Sequence, residues 1–478
     1  MSRQTRRTFL KKAAATAGIA SGITIAGTRA SGQVVGANDT VRVGVAGING
    51  RGRSHIGAFA GMDGVKVTHL IDPDSRLFPS RTELVKKTGK NTPKCMQDIR
   101  EALDDKQLDA VSIATTNHWH SLITVWSCQA GKDVYVEKPC SHNVFEGRKC
   151  VEAARKYKRI VQHGTQQRSS QGRANEIAAV RSGKYGKLLV SKGYCCKPRW
   201  SIGIKEPTDP PKELDFNIWL GPAPDQPYHP NLVHYNWHWM WDTGNGDTGN
   251  QGVHEMDVAR WAIKGATMPK TVWSLGGRFS YKDQGQTPNT QLSVYDYGET
   301  LLVFETRGLV GKHGMNRRVE NEYYTSEGVL SGGKFKPYEG KKEFEVEVEP
   351  ITVTPGGTFG SFINCVRSRK VEEVNGEIED AHYSSALCHL GNISYRLGQP
   401  APFNKTNRTL GDNKQVVESF DMIKENLKAV GMDLAETTYQ LGPVLQFDAA
   451  TEKFVDNTEA DNLLTREYRA PFVVPENV

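Results

Sequence analysis

Val41-Arg42-Val43-Gly44-Val45-Ala46 is a short β-branched run that breaks at once into Gly47-Ile48-Asn49-Gly50-Arg51-Gly52, after which His55 to Phe59 can open a helix. Strand, glycine turn and helix in this order constrain the fold more than any other feature of the chain. Without a Cβ the backbone can approach a pyrophosphate, whose charge meets the unpaired N–H groups of the helix's first turn. Asn49 stands where the G-x-G-x-x-G pattern has its second glycine, and asparagine tolerates left-handed geometry better than most residues. Asp72 closes the next strand candidate, Val65 to Ile71, where a carboxylate can accept a hydrogen bond from a ribose 2′-OH. The pattern predicts a dinucleotide site that favours NAD over NADP, although the nearby Arg76 could meet a 2′-phosphate.

The alternation continues through strand candidates at Leu108–Ala114, Asp133–Val136 and Arg159–His163, with helical patterns at 121–130 and 145–157 between them. This is the rhythm of a doubly wound parallel Rossmann sheet, an α/β domain expected over residues 38–165. A helix is expected near 173–181, and then the pattern changes to strands separated by turns, at 188–194, 271–280, 290–297 and 300–306. Residues 166–400 therefore read as an α+β substrate and oligomerisation domain with an open, mainly antiparallel sheet, and helices near 359–368 and 381–397 cover it or dock back on the first domain. A chain of 478 residues exceeds what one core supports, in keeping with two domains. Residues 401–478 read as a polar C-terminal extension, helical near 414–429, that wraps the surface or meets a partner subunit.

The N-terminus reads as a targeting segment. Thr5-Arg6-Arg7-Thr8-Phe9-Leu10-Lys11 precedes a modest apolar stretch, as in a twin-arginine export signal over residues 1–37, with small residues for cleavage after Ala30 or Ala37. Periplasmic localisation is expected. Six of the formal +7 charges lie in this leader, so the rest of the chain is nearly neutral and nucleic-acid binding loses its support. No apolar run beyond the leader is long enough to span a bilayer. Eight cysteines without C-x-x-C spacing suit buried thiols, and no metal site is expected.

Three further segments carry chemistry: Ala114-Thr115-Thr116-Asn117-His118-Trp119-His120, Gly131-Lys132-Asp133-Val134-Tyr135-Val136-Glu137-Lys138-Pro139, and Gly249-Asn250-Gln251-Gly252-Val253-His254-Glu255-Met256-Asp257. Together and in this order they resemble the glucose-fructose oxidoreductase/inositol dehydrogenase/MocA (Gfo/Idh/MocA) family over residues 40 to about 400, and the leader and tail are similar to those of its secreted bacterial members. The resemblance implies an NAD-dependent oxidoreductase acting on CH–OH groups, and a homo-oligomer. It implies that Gly47, Asn49, Gly50, Arg51, Gly52, Asp72, Thr115 and Asn117 hold the cofactor, with His120 and Glu137 beside the nicotinamide ribose and Gln166 near the ring. Lys138 would hydrogen-bond the reacting oxygen, and His254 would be the general base, since imidazole titrates near neutral pH. One departure matters: relatives with an acid–base dyad carry aspartate four residues before this histidine, and here the position is Asn250. An amide orients the ring without stabilising imidazolium, so Asp247 or Asp257 would have to compensate, or Lys138 carry more of the proton transfer.

The segment 197–250 is rich in Pro, Gly, Trp and His and lacks periodicity, which at this length points to an active-site wall. Within it, Tyr235-Asn236-Trp237-His238-Trp239-Met240-Trp241 suggests a sugar platform, indole faces against C–H and polar groups for hydroxyls, with aromatic packing at an interface as the competing explanation. Lys138, Arg199, Trp237, His238, Asn250, His254 and Asp257 are the expected substrate contacts, and Trp200 and Ser201 extend the wall. The expected function is hydride transfer between bound nicotinamide and a ring hydroxyl or ketone of a sugar, glycoside or polyol. The alternatives are an NAD-dependent glycosidase or lyase acting through transient oxidation, and a non-catalytic sugar-binding protein.

Overall fold

The computed structural model of the protein describes residues 40–309, 319–404 and 408–478. The leader expected at residues 1–37 lies outside them. Strands β1 (Val41–Ala46), β2 (Val65–Ile71), β3 (Lys94–Met96), β4 (Ala110–Ile113), β5 (Asp133–Val136) and β6 (Val161–His163) form an all-parallel sheet in the order β3-β2-β1-β4-β5-β6. The strand order reverses between β1 and β4, and that switch point opens the crevice in which such sheets bind ligands, beyond the strands' carboxyl ends. β1, β4 and β5 are almost wholly buried, Arg42 being the exposed exception, which is why they read as short, mainly apolar runs. The helix Val144–Lys156 starts where Asn143 caps it by accepting from the Glu146 amide at 2.9 Å.

The second sheet runs through β7 (Leu188–Cys195), β8 (Thr271–Gly277), β9 (Thr290–Asp296), β10 (Leu301–Arg307), β11 (Val319–Thr325), β12 (Gly328–Ser331) and β13 (Lys334–Pro337). Its pairs are antiparallel except β7 with β10. On one face the helices Val253–Ala262 and Ile378–Arg396 pack, and the latter also lies on Val144–Lys156, joining the two domains. The expected late helix thus both covers the sheet and docks on the first domain.

Residues beyond 400 are less of an appendage than their polarity suggests. β14 (Gln399–Pro402), β15 (Thr438–Leu441) and β16 (Leu445–Asp448) extend the sheet beside β8. The helix Lys414–Ala429 covers the sheet's other face, where Phe420, Ile423 and Leu427 meet Phe403, Tyr439 and Leu275. The final residues return to the Rossmann domain: Phe472, Val474 and Val478 join the core that contains Trp119. All eight cysteines are free thiols, and Cys95 alone of them is exposed. Among the described residues no helix is long and apolar enough to cross a membrane.

Candidate active site

One cavity of about 490 Å³ runs from the glycine turn into the second domain. At its first end Gly47 sits at φ +77°, and a Cβ there would lie 2.6 Å from the carbonyl of Ala114 and the amide of Thr115. A Cβ on Gly52 would lie 1.8 Å from the Gly47 oxygen. Both glycines are therefore demanded by the packing of turn on strand, and Gly52 does not itself line the cavity. Gly50 differs: it lines the cavity, and a Cβ there meets nothing within 4 Å. The space left at Gly50, at the open N-terminus of the helix Gly50–Ala60, fits a pyrophosphate. Asn49, Arg51, Thr115 and Asn117 line the same end, and Asn117 Oδ1 is buried without a protein partner, an acceptor left over for a ligand hydroxyl or amide.

Asp72 lies at the mouth of β2 and accepts from the amides of Ile48 (2.9 Å) and Asp74 (3.0 Å). Burial outweighs those hydrogen bonds and raises its carboxyl to about 6. Arg76 turns away from this spot: its guanidinium grips Asp74 at 2.7 and 2.6 Å. The arginine that could have met a 2′-phosphate is thus already engaged.

Glu137 and Lys138 leave β5 at the cavity's centre, and both line it together with His120 and Gln166. Glu137 accepts from Arg51 at 2.7 Å and bonds His55 at 3.0 Å. Burial opposes its ionisation, but the hydrogen bond from His55 and the charges of Arg51 and Lys138 prevail and hold it well below the usual carboxylate range. His120 is braced by the carbonyls of Pro139 (2.6 Å) and Thr115 (3.2 Å). Burial lowers the Lys138 ammonium from its ordinary value, only partly offset by Glu137. Its Nζ donates to the backbone oxygen of Asn250.

Asn250 belongs to a π-helical turn, Thr248–Gly252, that runs straight into the helix Val253–Ala262. The four-residue spacing from Asn250 to His254 is therefore not one ordinary α-turn, and what Asn250 presents to Lys138 is its carbonyl. His254 lines the cavity beside Lys138, and burial, reinforced by the lysine's charge, pushes its imidazole down to about 3. Trp237 and His238 line the cavity as a stacked pair with ring centroids 3.6 Å apart. His238 Nδ1 bonds the Tyr235 carbonyl at 2.5 Å, which leaves Nε2 as the acceptor.

Two expected substrate contacts lie elsewhere. Asp257 is buried and clamped by Arg168 through two 2.9 Å bonds, with Ser384 at 2.7 Å. Arg199 is bound to Asp247 at 3.0, 2.8 and 2.6 Å and lies over Trp239 at 5.2 Å. Neither lines the cavity. These pairs also occupy both carboxylates that might have served His254 in place of the missing aspartate. Buried opposite charges find each other across long sequence separations, which spacing alone does not reveal. Trp200, expected in the wall, is 66% exposed.

The cavity also contains residues that motif reading passed over: Gln97 and Ile99 near Asp72, Trp119 and Ile123 on the helix Asn117–Gln129, and Ile218, Trp219, His234 and Gln251 from the second domain. The aperiodic character of 197–250 was the available signal for Ile218, Trp219 and His234, but it marked a segment rather than side chains.

Fold and cavity together define a two-domain protein whose first domain is an NAD-binding Rossmann fold. Residues 41–165 match the Gfo/Idh/MocA oxidoreductase family's NAD-binding Rossmann fold and residues 184–284 its C-terminal alpha/beta domain, in that order along the chain. It is similar to a glycosyl hydrolase family 109 protein of Shewanella pealeana, 28% identical over 182 residues, 37% of this chain and 40% of that one. A family 109 protein of Shewanella baltica is 27% identical over 216 residues, 41% of this chain and 47% of the relative. The chain thus spans less than half the length of these curated relatives. Among solved structures, the WlbA dehydrogenase of Bordetella pertussis, in complex with NADH and UDP-GlcNAcA, has a TM-score of 0.55 at 17% identity, covering 75% of this chain and 97% of that one. Levoglucosan dehydrogenase in complex with NADH has a TM-score of 0.54 at 14% identity, covering 85% and 100%. These likenesses are of fold.

With NAD as the cofactor, the raised carboxyl of Asp72 has a measurable consequence. A ribose hydroxyl that donates to Asp72 needs its ionised form, so affinity is expected to fall as pH drops through about 6. A fluorescence titration with NADH should show binding about tenfold weaker at one unit below that value, a pH step that Asp72→Asn removes. An unchanged step in Asp72→Asn would assign it to another group.

Proposed function

We propose that this protein moves a hydride between NAD and a ring carbon carrying a hydroxyl or ketone in a sugar, glycoside or polyol. The observation that carries this reading is the single cavity that joins Asp72 and the glycine turn to Lys138 and His254 and ends on Trp237 and His238. NAD, when bound, supplies the acceptor for a hydride leaving carbon. Lys138 binds the reacting oxygen: its ammonium stabilises charge developing there, and burial, by lowering its proton affinity, brings the neutral amine within reach as proton acceptor. His254, held neutral by burial, orients the substrate hydroxyl and is the weaker proton sink. Arg51 and His55 keep Glu137 ionised beside Lys138, which preserves the lysine's charge in a desolvated site. The stacked face of Trp237 and His238 suits the C–H side of a sugar ring, and His238 Nε2 accepts from a hydroxyl.

A second reading draws support from the curated relatives, which bear the name of a glycosyl hydrolase family. Oxidation of one ring carbon acidifies the neighbouring C–H. Loss of that proton expels the glycosidic oxygen, water adds to the resulting alkene, and the hydride returns to the carbonyl. The twin-arginine leader read at residues 1–37 would put either chemistry in the periplasm, and self-association into a homo-oligomer belongs to the same proposal.

The leader-free protein with NAD is incubated with a panel of glycosides and polyols, following NADH absorbance and product masses. A keto-sugar accompanied by NADH formed on the enzyme is the expected result, and free sugar or aglycone without net NADH selects the second reading. Sugar binding without conversion across the panel would overturn both and leave a non-catalytic binding protein.

A further inference from the structure

The cavity wall on the Asp72 side is not built by the Rossmann domain alone. Ile218 and Trp219, on the short helix Phe216–Leu220 of the second domain, line the cavity together with Asp72 and Gln97. That helix is attached from two directions. Before the helix, Asp215 donates its amide to the Pro73 carbonyl at 2.9 Å and Ser75 donates its amide to the Glu213 carbonyl at 3.0 Å, both on residues within three of Asp72. From the helix Asn117–Gln129, the indole N–H of Trp119, which also lines the cavity, donates to the carbonyls of Ile218 (3.1 Å) and Trp219 (3.0 Å).

The last residues of the chain brace the same helix from outside. Arg469 donates to the Asn217 carbonyl at 2.6 Å and to the Gly221 carbonyl at 3.1 Å, gripping both ends of the helix. Phe472, buried, packs edge-on against Trp119 with ring centroids 5.4 Å apart. Arg469 in turn lies 5.0 Å over Phe472. Tail, indole and helix form one continuous stack ending on the cavity, with the charged pin at its solvent side.

We propose that the C-terminal tail pins a clasp, residues 213–221, over the adenosine half of NAD, so that the cofactor leaves only when the clasp opens. The assignment of that half rests on Asp72 as the ribose acceptor, and the proposal rests on NAD occupying this cavity, not on which sugar reacts. An enzyme whose NAD outlasts a turnover must hand the hydride on before reacting again. The acceptor is then the carbonyl generated in the same substrate, or that of a second keto-sugar entering after the first product leaves. Arg469 and Phe472 are positioning residues for the cofactor in this scheme.

Full-length protein loaded with NADH is chased with excess NAD+, following the loss of bound-NADH fluorescence without any sugar present. Wild type should keep its cofactor through gel filtration. Arg469→Ala, which removes the charge-assisted hydrogen bonds to Asn217 and Gly221, should exchange it about tenfold faster or more, with the melting temperature of the NAD-free protein unchanged. Phe472→Ala should act in the same direction, and Arg469→Ala carries the test if Phe472→Ala does not fold. Exchange by wild type within the mixing time would overturn the clasp, as would folded variants whose exchange stays within about twofold of wild type. Because no sugar enters the assay, failure here leaves the reading of the reaction intact, and failure of the sugar panel leaves the clasp intact.

Discussion

Lys138→Met is expected to lower kcat by about a thousandfold while NAD affinity stays within about twofold of wild type. Methionine nearly preserves the volume of the lysine stem and removes both the charge that would stabilise the reacting oxygen and the group that exchanges its proton. The glycine turn is untouched, because a Cβ on Gly47 faces Ala114 and Thr115, and one on Gly50 meets nothing within 4 Å, so neither depends on this side chain. The pH dependence distinguishes the lysine from the histidine. A base must be deprotonated to work, so the rate of sugar oxidation should rise with pH through the lowered value of Lys138, below that of an ordinary lysine. His254, already neutral above about 3, contributes no limb near neutrality. The rising limb should therefore persist in His254→Gln and vanish in Lys138→Met, read from kcat/KM profiles on whichever substrate turns over. A limb that disappears in His254→Gln would make the imidazole the base after all.

Gly47→Ala is expected to abolish NAD binding and to destabilise the protein by about 2–4 kcal/mol, whereas Gly50→Ala abolishes binding alone. At Gly47 a methyl group faces backbone atoms at 2.6 Å from a φ of +77°, so either the turn or β4 must move. At Gly50 the methyl meets no protein atom and projects from a helical residue, where alanine is if anything favoured over glycine. The same chemical change therefore separates folding from ligand binding. NADH titration and thermal melting, run on both variants, check it. A Gly50→Ala protein that binds NADH normally would mean that the phosphates lie away from the helix end.

The first domain was legible in the sequence because its constraints are local. A β-branched run followed by glycines at 47, 50 and 52 admits few backbones, and buried parallel strands announce themselves as short, mainly apolar runs at β1, β4 and β5. Lys138 and His254 were legible for a different reason: each sits in a contiguous stretch whose order along the chain resembles a family. β3 left no comparable mark. It is three residues long, lies at the sheet edge and keeps two of them exposed, so no hydrophobic pattern forms.

Strand rhythm, the turn that cradles a dinucleotide, the carboxylate twenty residues beyond it and the lysine that follows β5 were determined by the sequence, since each depends on backbone sterics or on neighbours a few positions away. Which charges are spoken for was decided only by the tertiary structure: Asp257 by Arg168, Asp247 by Arg199, Arg76 by Asp74. So was the fate of the final eighty residues: Phe403, Phe420 and Tyr439 pack on one another and against Leu275, and Phe472 against Trp119, with Leu275 and Trp119 more than a hundred residues away. Burial is a property of where the chain returns to itself, and side chains that pair across such distances carry no sign of it in their own neighbourhood.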